Sequence, residues 1–496
     1  MDELKIRKKN LIMFPLGTVG RDMMYYLFTS CIITYVMFTR SLTNAQFAAI
    51  TGIVVAARIF DALNDPIMGN IIERTRTRWG KYKPWLLIGI VSTSIVIYLA
   101  FNTDLQGWSF VWFFGVIYFM YSITYTMHDI SYWGMVPALS SDADARNQFT
   151  SRATLCAGIG GTLASVLIPM LTVGGMTIGG NTKYAYGVIA LAISIIAPLF
   201  LFFTIFGVKD RRDYTEAPPL SFKKIWKTIT GNDQLLWISL IFLIQEISNG
   251  FIVGGIGATY IYFDFGYNGG LFSLFTIAGM LPTAFLMIFY PAISRKVGRK
   301  ALMRIMIIIS TVGYALILIA GVLLGGQSGG EANMMKFYAV TLGYALSNFG
   351  NYCFYLVMMI SIMNTVEYNE YKNGVRDEAI VASMRPFLTK MSSALIVLLT
   401  NAAYIAFGIT KYTNQISEFE NACQRNLITE TEKLSSIGGV LANVSHSQTL
   451  ALVLCIALSP CALMVVSYFI YKSKYKLDEA EYDRICAELE ARKAKA

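Results

Sequence analysis

The sequence predicts an all-α membrane protein with about twelve transmembrane helices arranged as two six-helix bundles. Of its 496 residues, 55% are hydrophobic and only 15% are charged, whereas a soluble domain is about one quarter charged. Apolar stretches of the roughly 20 residues that span a bilayer as a helix recur along the whole chain. The net charge is +10, but the basic residues cluster in alternate loops, as in membrane proteins. We therefore expect a lipid bilayer, and no nucleic acid, around this protein.

The apolar segments fall into two groups of six. The first group lies near 11–38, 45–71, 85–102, 108–135, 153–173 and 184–207, and the second near 235–262, 270–293, 302–325, 335–365, 381–410 and 447–471. The predicted organisation is an N-terminal bundle at 1–207, a central cytoplasmic loop at 208–234, a C-terminal bundle at 235–471 and a cytoplasmic tail at 472–496. Two six-helix halves are the arrangement of the major facilitator fold.

The loop charges predict the orientation of the chain in the membrane. Basic residues crowd the N-terminus "MDELKIRKKN", the central loop, the tail, and two similar loops, "RTRTRWGKYKPWLL" and "SRKVGRKALM". These two loops occupy matching places in the two halves, which indicates an internal repeat of the kind that supports alternating access. We expect a multi-pass protein of the cell (inner) membrane with both termini in the cytoplasm. The seven cysteines form no CxxC pair and predict neither a disulfide framework nor a zinc site.

The stretch "RIFDALNDPIMG" places two carboxylates in an apolar segment. Asp61 and Asp65 lie one helical turn apart, and Asn64 joins them on the same face. Pro66 lacks an amide hydrogen and can free a carbonyl oxygen one turn earlier. Such a group of oxygens suits a hard cation, while two close carboxylates also suit a proton. The third alternative is a structural pair with a neighbouring base such as Arg58.

The segment "YSITYTMHDISYWGMVP" carries a second polar face, because Thr126, Asp129 and Trp133 share one side of a helix. An indole packs on the C–H surface of a sugar, and a carboxylate accepts hydrogen bonds from its hydroxyls. Asp22 lies deep in the first apolar segment, and Arg21 beside it either joins the site or pairs with an acid. These residues predict a sugar site.

Four further polar residues have open roles. Arg152 either faces a cavity or marks the cytoplasmic boundary, and Lys390 requires an anionic partner at its depth in the membrane. Asp61, Asp65, Asp129 and Glu246 are the candidate partners. Glu246 is otherwise a structural or gating residue. His128 is interpreted as structural, with a proton role as the alternative.

Three ordered motifs resemble the glycoside–pentoside–hexuronide:cation symporters. They are "RIFDALNDPIMG" followed by "RTRWGKYKPW", then "YTMHDISYWGMVPALSSD", then "NTVEYNEYKNGVRDEAIVASMRPFLTK". The resemblance covers the whole chain. It implies the major facilitator fold and uptake of a sugar with Na⁺, Li⁺ or H⁺. The cation residues it implies are Asp61, Asn64, Asp65 and Thr126. The sugar residues it implies are Asp22, Asp129, Trp133 and Arg152, with Arg21 as a basic neighbour, and Lys390 lies near the cation site.

The sequence departs from this family pattern at Arg385 and Pro386. An added positive charge near the pocket favours an acidic sugar such as a hexuronide, unless Arg385 is paired elsewhere.

The resulting prediction is a monomeric secondary symporter with no cofactor beyond its coupling ion. We expect no enzyme, because the chain has only two histidines and no nucleophile–base set. The alternatives are a non-transporting sugar sensor and a lipid transporter on the same fold. The polar stretch 412–446 is predicted to be a long outer loop without chemistry.

Overall fold

The computed structural model describes residues 2–140, 142–209, 222–253, 255–325, 327–328 and 331–495. Its first helices are α1 (Asp2–Thr39), α2 (Asn44–Arg74), α3 (Lys83–Phe101), α4 (Gly107–Gly134), α5 (Val136–Leu139), α6 (Ala143–Thr172) and, after a 3₁₀ turn at Ile178–Gly180, α7 (Thr182–Gly207). They are followed by α8 (Phe222–Gly231), α9 (Asp233–Val253), α10 (Ile256–Phe265), α11 (Gly269–Val297), α12 (Arg299–Leu323), α13 (Met334–Asn373), α14 (Glu378–Ala406), α15 (Ile409–Gln424), α16 (Glu430–Ala442), α17 (His446–Lys474) and α18 (Glu479–Lys495). A short antiparallel pair, β1 (Gln327–Ser328) and β2 (Glu331–Ala332), precedes α13.

The described part of the chain contains 11 helical spans that are long and apolar enough to cross a membrane, judged by length and composition. Two of them, Gly107–Leu139 and Asp233–Phe265, continue through a short following helix. The long helix α1 is not among them. It carries Arg21 and Asp22 in its middle, and charged side chains lower its apolar character. The predicted all-α membrane fold is confirmed.

The chain forms two compact units. The first comprises Met1–Ala217, Tyr267–Ser273 and Asn401–Val444, and the second comprises Pro218–Gly266, Leu274–Thr400 and Ser445–Ala496. The first unit thus includes chain from beyond the predicted N-terminal bundle. Of the predicted central loop, residues 210–221 lie outside the described residues, and the remainder includes α8.

Within the first unit, α1 packs between α6 and α7, and α4 contacts both α2 and α3. Two glycines permit the close approach of α1 to its neighbours. A side chain on Gly20 would meet the backbone of Ala197, and one on Gly160 would meet the backbone of Val19. Because the backbones lie so close, α1 holds the residues in its middle at a fixed depth in the unit.

The predicted outer loop 412–446 is instead largely helical and packs on the first unit as α15 and α16. Thr429 and Glu432 form a capping box at the start of α16, which stabilises a helix in a sequence with little apolar periodicity. The carboxylate of Glu420 accepts hydrogen bonds from the backbone nitrogen of Thr182 at 2.9 Å and from the Asn181 side chain at 3.1 Å. Glu420 therefore caps α7 from a distant part of the chain.

A buried lysine completes this contact. Lys433 is 0% exposed and Glu420 is 1% exposed. The ammonium of Lys433 lies 3.3 Å from the Glu420 carboxylate and donates to the carbonyl of Gly180 at 2.6 Å. A charge this deeply buried persists only with such partners. The α15–α16 segment is thus an ordered part of the first unit.

The second unit packs α12 on α13 and α9 on α17. It also contains a buried ion pair, since Lys336 is 2% exposed, Asp264 is 4% exposed, and their charged atoms lie 2.7 Å apart. The tail helix α18 contacts α13, and Glu479 and Asp478 bind Arg299 and Lys300 at the start of α12.

Candidate functional site

A charged cluster lies where the middle of α1 faces the last turns of α4. The Arg21 guanidinium is 3% exposed and bridges two carboxylates, with Asp22 at 3.0 Å and Asp129 at 2.9 Å. The side chains of Asp22 and Asp129 keep 24% and 36% of their surface exposed. The arginine is thus fixed by its acids, while both acid side chains remain partly accessible to a ligand.

Aromatic rings complete this cluster. The Arg21 guanidinium lies 5.0 Å from the ring centre of Tyr132 and 5.2 Å from that of Trp133. Tyr132 is held by stacking on Phe14 with ring centres 4.4 Å apart and by donating a hydrogen bond to the Phe14 carbonyl. Trp133 is half-buried. The structure therefore brings together Arg21, Asp22, Asp129 and Trp133, four of the predicted substrate residues.

The other two predicted substrate residues have other hydrogen-bond partners. Arg152 in α6 is exposed and donates to the carbonyl of Leu11 at 3.3 Å. Leu11 precedes Arg21 by ten residues, about 15 Å along a helix, and no described hydrogen bond or ion pair joins Arg152 to the cluster. Arg385 belongs to the second unit, where it donates to the Tyr355 hydroxyl at 3.1 Å.

The predicted acid pair faces a matching row of hydroxyls on α4. Ser122 donates a hydrogen bond to Asp61, and Thr126 donates to Asp65 at 3.4 Å. The order is the same on both helices, so α2 and α4 run in the same direction and present two matched rows one turn apart. Two carboxylates and two hydroxyls form a set of oxygen ligands suited to a hard monovalent cation or to a proton.

Asn64 and Arg58 have unusual surroundings beside this pair. The Nδ2 atom of Asn64 and the Nε atom of Arg58 are buried without a hydrogen-bond partner among the described residues. No ion pair within 4 Å joins Arg58 to Asp61, although both are described. The guanidinium instead lies over the ring of Tyr118 at 6.0 Å. Arg58 contributes positive charge nearby without occupying the carboxylate. Helix α2 continues through Pro66 to Arg74.

Sequence reasoning missed Ser122. The sequence does contain a signal for it, because Ser122 precedes Thr126 by four residues and therefore lies on the same helix face. It also missed a ladder of tyrosines beside the acids, in which Tyr125 lies 5.4 Å from Tyr25 and 5.3 Å from Tyr121 between ring centres. His128 is fully buried at the contact between α3 and α4, and both of its ring nitrogens lack a hydrogen-bond partner among the described residues.

The remaining predicted polar residues lie in the second unit. Lys390 and Glu246 are half-buried, and Glu246 lies within electrostatic reach of Arg385. Tyr355, the partner of Arg385, has its ring centre 5.6 Å from Tyr352. This unit therefore has its own polar and aromatic group, around Arg385.

This fold, with charged groups held inside apolar helices of membrane-spanning length, defines a multi-pass helical membrane protein. The solved structure of a D-xylose–proton symporter matches with a TM-score of 0.60 at 12% identity, covering 86% of this chain and 99% of that one. At that identity the match shows the fold alone.

A family model described as "MFS/sugar transport protein" matches residues 13–479, so the chain belongs to that family. The resemblance stated from the three motifs is confirmed. The lactose permease of Leuconostoc lactis is 31% identical over 423 residues, covering 81% of this chain and 63% of the permease. The raffinose carrier protein of Pediococcus pentosaceus is 24% identical, covering 97% of this chain and 71% of the carrier. The chain thus spans under two thirds of the length of the lactose permease.

Proposed function

We propose that the protein is a secondary symporter that couples uptake of a sugar to entry of Na⁺ or H⁺ through alternating access. One observation carries this proposal. A single helix, α4, supplies the hydroxyls that face the acid pair and the Asp129 and Trp133 of the charged cluster. Thr126 and Asp129 are three residues apart, about 4.5 Å along the helix axis. A cation bound at the acid pair would therefore change the position of Asp129 and Trp133 through α4, and a sugar bound at the charged cluster would likewise change the position of Thr126.

In the proposed cation site, Asp61, Asp65 and Asn64 provide oxygens from α2, and Ser122 and Thr126 provide hydroxyls from α4. Without a cation, two neighbouring carboxylates repel each other. A bound Na⁺, Li⁺ or H⁺ removes this repulsion and draws the two helices together. A monovalent ion suits the set, because the described residues hold no cluster of three acidic, histidine or cysteine side chains.

In the proposed sugar site, the open oxygens of Asp22 and Asp129 accept hydrogen bonds from hydroxyl groups, and Trp133 packs against the C–H surface of the ring. Arg21 holds both carboxylates in place. We assign Arg152 and Arg385 to contacts with the sugar that form after it has bound at this cluster. The positive charge of Arg385 favours an acidic sugar such as a hexuronide. Lys390 serves as a counter-charge in the coupling step.

Coupling follows from linkage. If the cation raises the affinity for sugar, the sugar raises the affinity for the cation by the same factor. The loaded protein then exposes both ligands to the cytoplasm, and no chemical bond changes. The names of the sugar-transporting relatives support a sugar as the substrate. We further propose that it acts as a monomer in the inner membrane with both termini in the cytoplasm, and that it is not an enzyme.

The test is uptake of labelled glycosides and hexuronides into proteoliposomes with and without a Na⁺ or H⁺ gradient. We expect wild type to accumulate its substrate, and Asp65→Asn to reach only equal concentrations inside and outside. The control is Asp483→Asn, which removes an exposed carboxylate in α18 and should accumulate substrate as wild type does. Normal accumulation by Asp65→Asn would show that the acid pair does not couple transport.

A further inference from the structure

The short helix α8 (Phe222–Gly231, "FKKIWKTITG") has an apolar face that its own unit covers only in part. With 3.6 residues per turn, Ile225, Trp226 and Ile229 share one face. In a helix docked on a protein core, such a face is the buried one. Here Trp226 is 72% exposed and the two isoleucines are half-buried, whereas Thr228 on the polar flank is 6% exposed. The helix is therefore rotated so that Thr228 meets the protein and the tryptophan side of the apolar face points away from it.

Two contacts fix this rotation. Asp377 is 8% exposed and binds the polar flank of α8, accepting from Thr228 at 2.6 Å and pairing with Lys224 at 2.8 Å. Asn232, the single residue between α8 and α9, is fully buried. Its side chain accepts from the backbone nitrogen of Leu235 at 3.0 Å and donates to the carbonyl of Thr365 at 2.9 Å. The Lys224–Thr228 side and the centre of the apolar face are separated by roughly 130° around the axis.

The opposite flank of α8 carries two exposed positive charges. Lys223 and Lys227 lie one turn apart, and both are exposed. Neither forms an ion pair or hydrogen bond with another residue that the structure describes. The helix thus presents an apolar strip of an exposed tryptophan and two half-buried isoleucines, bordered by the ammonium groups of Lys223 and Lys227.

The position of α8 in the chain indicates that membrane lipid covers this apolar strip. One residue separates α8 from α9, the start of the membrane-spanning segment Asp233–Phe265. The helix therefore lies at the level where the chain enters the bilayer. Tryptophan is enriched at that level, and lysines extend along apolar surface to place their charge among headgroups. An amphipathic helix with these features lies in the plane of the interface.

We propose that α8 is a lipid-binding helix whose apolar face inserts among acyl chains and whose Lys223 and Lys227 bind the headgroups of anionic phospholipids. This inference does not depend on which solute the protein transports. Asp377 immediately precedes α14 (Glu378–Ala406), so lipid bound at α8 also fixes the position where α14 begins.

The test compares the full-length purified protein with two double variants of equal charge change. Lys223→Gln/Lys227→Gln removes the proposed headgroup contacts. Lys411→Gln/Arg425→Gln removes two exposed basic residues of the first unit and serves as the matched control. Retention of phosphatidylglycerol and of phosphatidylcholine is measured by native mass spectrometry over a range of salt concentrations, with the unfolding temperature as a check on folding.

We expect the α8 double variant to bind phosphatidylglycerol roughly thirty-fold more weakly, about fivefold for each lysine, with phosphatidylcholine unchanged. The control should bind both lipids as wild type does. Equal retention of phosphatidylglycerol by wild type and the α8 variant would overturn the proposal, and so would an equal loss in the control. Displacement of the lipid by millimolar inorganic phosphate alone would also overturn it, because the acyl chains would then contribute nothing.

A second measurement tests the apolar face. In vesicles with brominated acyl chains, quenching of tryptophan fluorescence should fall in Trp226→Phe relative to wild type. Retention of phosphatidylglycerol should survive Trp226→Phe and weaken in Trp226→Ser. Quenching that is identical in wild type and Trp226→Phe would place Trp226 outside the bilayer and contradict the proposal.

Discussion

At the scale of single residues, the proposed cation site depends on hydroxyls as well as on acids. Ser122 donates to the buried Asp61, and hydrogen bonds to charged groups are stronger than those between neutral groups. A carboxylate that is already oriented binds a cation without first reorganising. Ser122 therefore raises the affinity of the site for the cation by orienting Asp61, although the negative charge that balances the cation comes from the acids alone.

We predict that Ser122→Ala raises the cation concentration for half-maximal stimulation of sugar binding by about tenfold, which corresponds to about 1.4 kcal/mol. Sugar affinity without the cation should change little. The measurement is a titration of sugar binding against Na⁺ and against pH. The control is Ser131→Ala on the same helix, because the buried Ser131 hydroxyl has no hydrogen-bond partner among the described residues. An equal effect of both substitutions would contradict the assignment.

The sequence singled out most of the residues that the structure brings together here. Asp61, Asp65, Thr126 and Asp129 stand out because carboxylates and their partners are costly in apolar helices. The bridging role of Arg21 could not be predicted, since Asp129 is 108 residues away along the chain. The position of Arg152 could not be predicted either, because the sequence suggests that it opens an apolar helix, whereas α6 begins nine residues earlier at Ala143.

At the scale of elements, the least predictable part is the α15–α16 segment. The ion pair between Glu420 and Lys433 joins its two helices, and both side chains also bind the chain at residues 180–182. In the sequence these two residues look like ordinary surface charges. Their burial depends on Asn181 and Thr182, more than 200 residues earlier. The spacing of apolar and charged residues within one segment cannot indicate a contact with a segment so far away in the sequence.

We predict that Lys433→Met destabilises the protein by about 3–5 kcal/mol, because it leaves the buried Glu420 carboxylate without its counter-charge. The double substitution Glu420→Gln/Lys433→Met should cost clearly less, since it leaves no buried charge. Thermal unfolding of the purified protein in detergent measures both. Lys411→Met, at an exposed site in α15, should be close to neutral. A single variant as stable as the double variant would refute this account.

At the scale of the whole molecule, ion pairs outside the spanning helices set its response to acid. A hydrogen bond from Lys183 lowers the pKa of Asp104 in the first unit, and one from Lys300 lowers the pKa of Asp478 in the second. Burial raises the pKa of Asp377, but hydrogen bonds from Lys224 and Thr228 outweigh it, and the pKa lies below its ordinary value of 3.8.

Since these pKa values are lower in the folded protein than in the unfolded chain, the pairs stabilise the fold above about pH 4. That contribution is lost as the pH falls through the folded pKa values. We predict that the unfolding temperature is flat from pH 7 to 5 and declines below pH 4. Asp104→Asn and Asp377→Asn should each lower the neutral-pH value and reduce the decline. If the unfolding temperature of a variant declined below pH 4 as steeply as that of wild type, the substituted carboxylate would not contribute to the acid response.

The cap that Glu420 places on α7 also bears on how the chain is made. Glu420 leaves the ribosome 238 residues after Thr182, a delay of roughly 10 to 50 seconds at ordinary rates of synthesis. During that interval α7 exists without the carboxylate that covers its first amides. The first unit therefore finishes folding only after Glu420 has been synthesised, although most of the unit precedes residue 218.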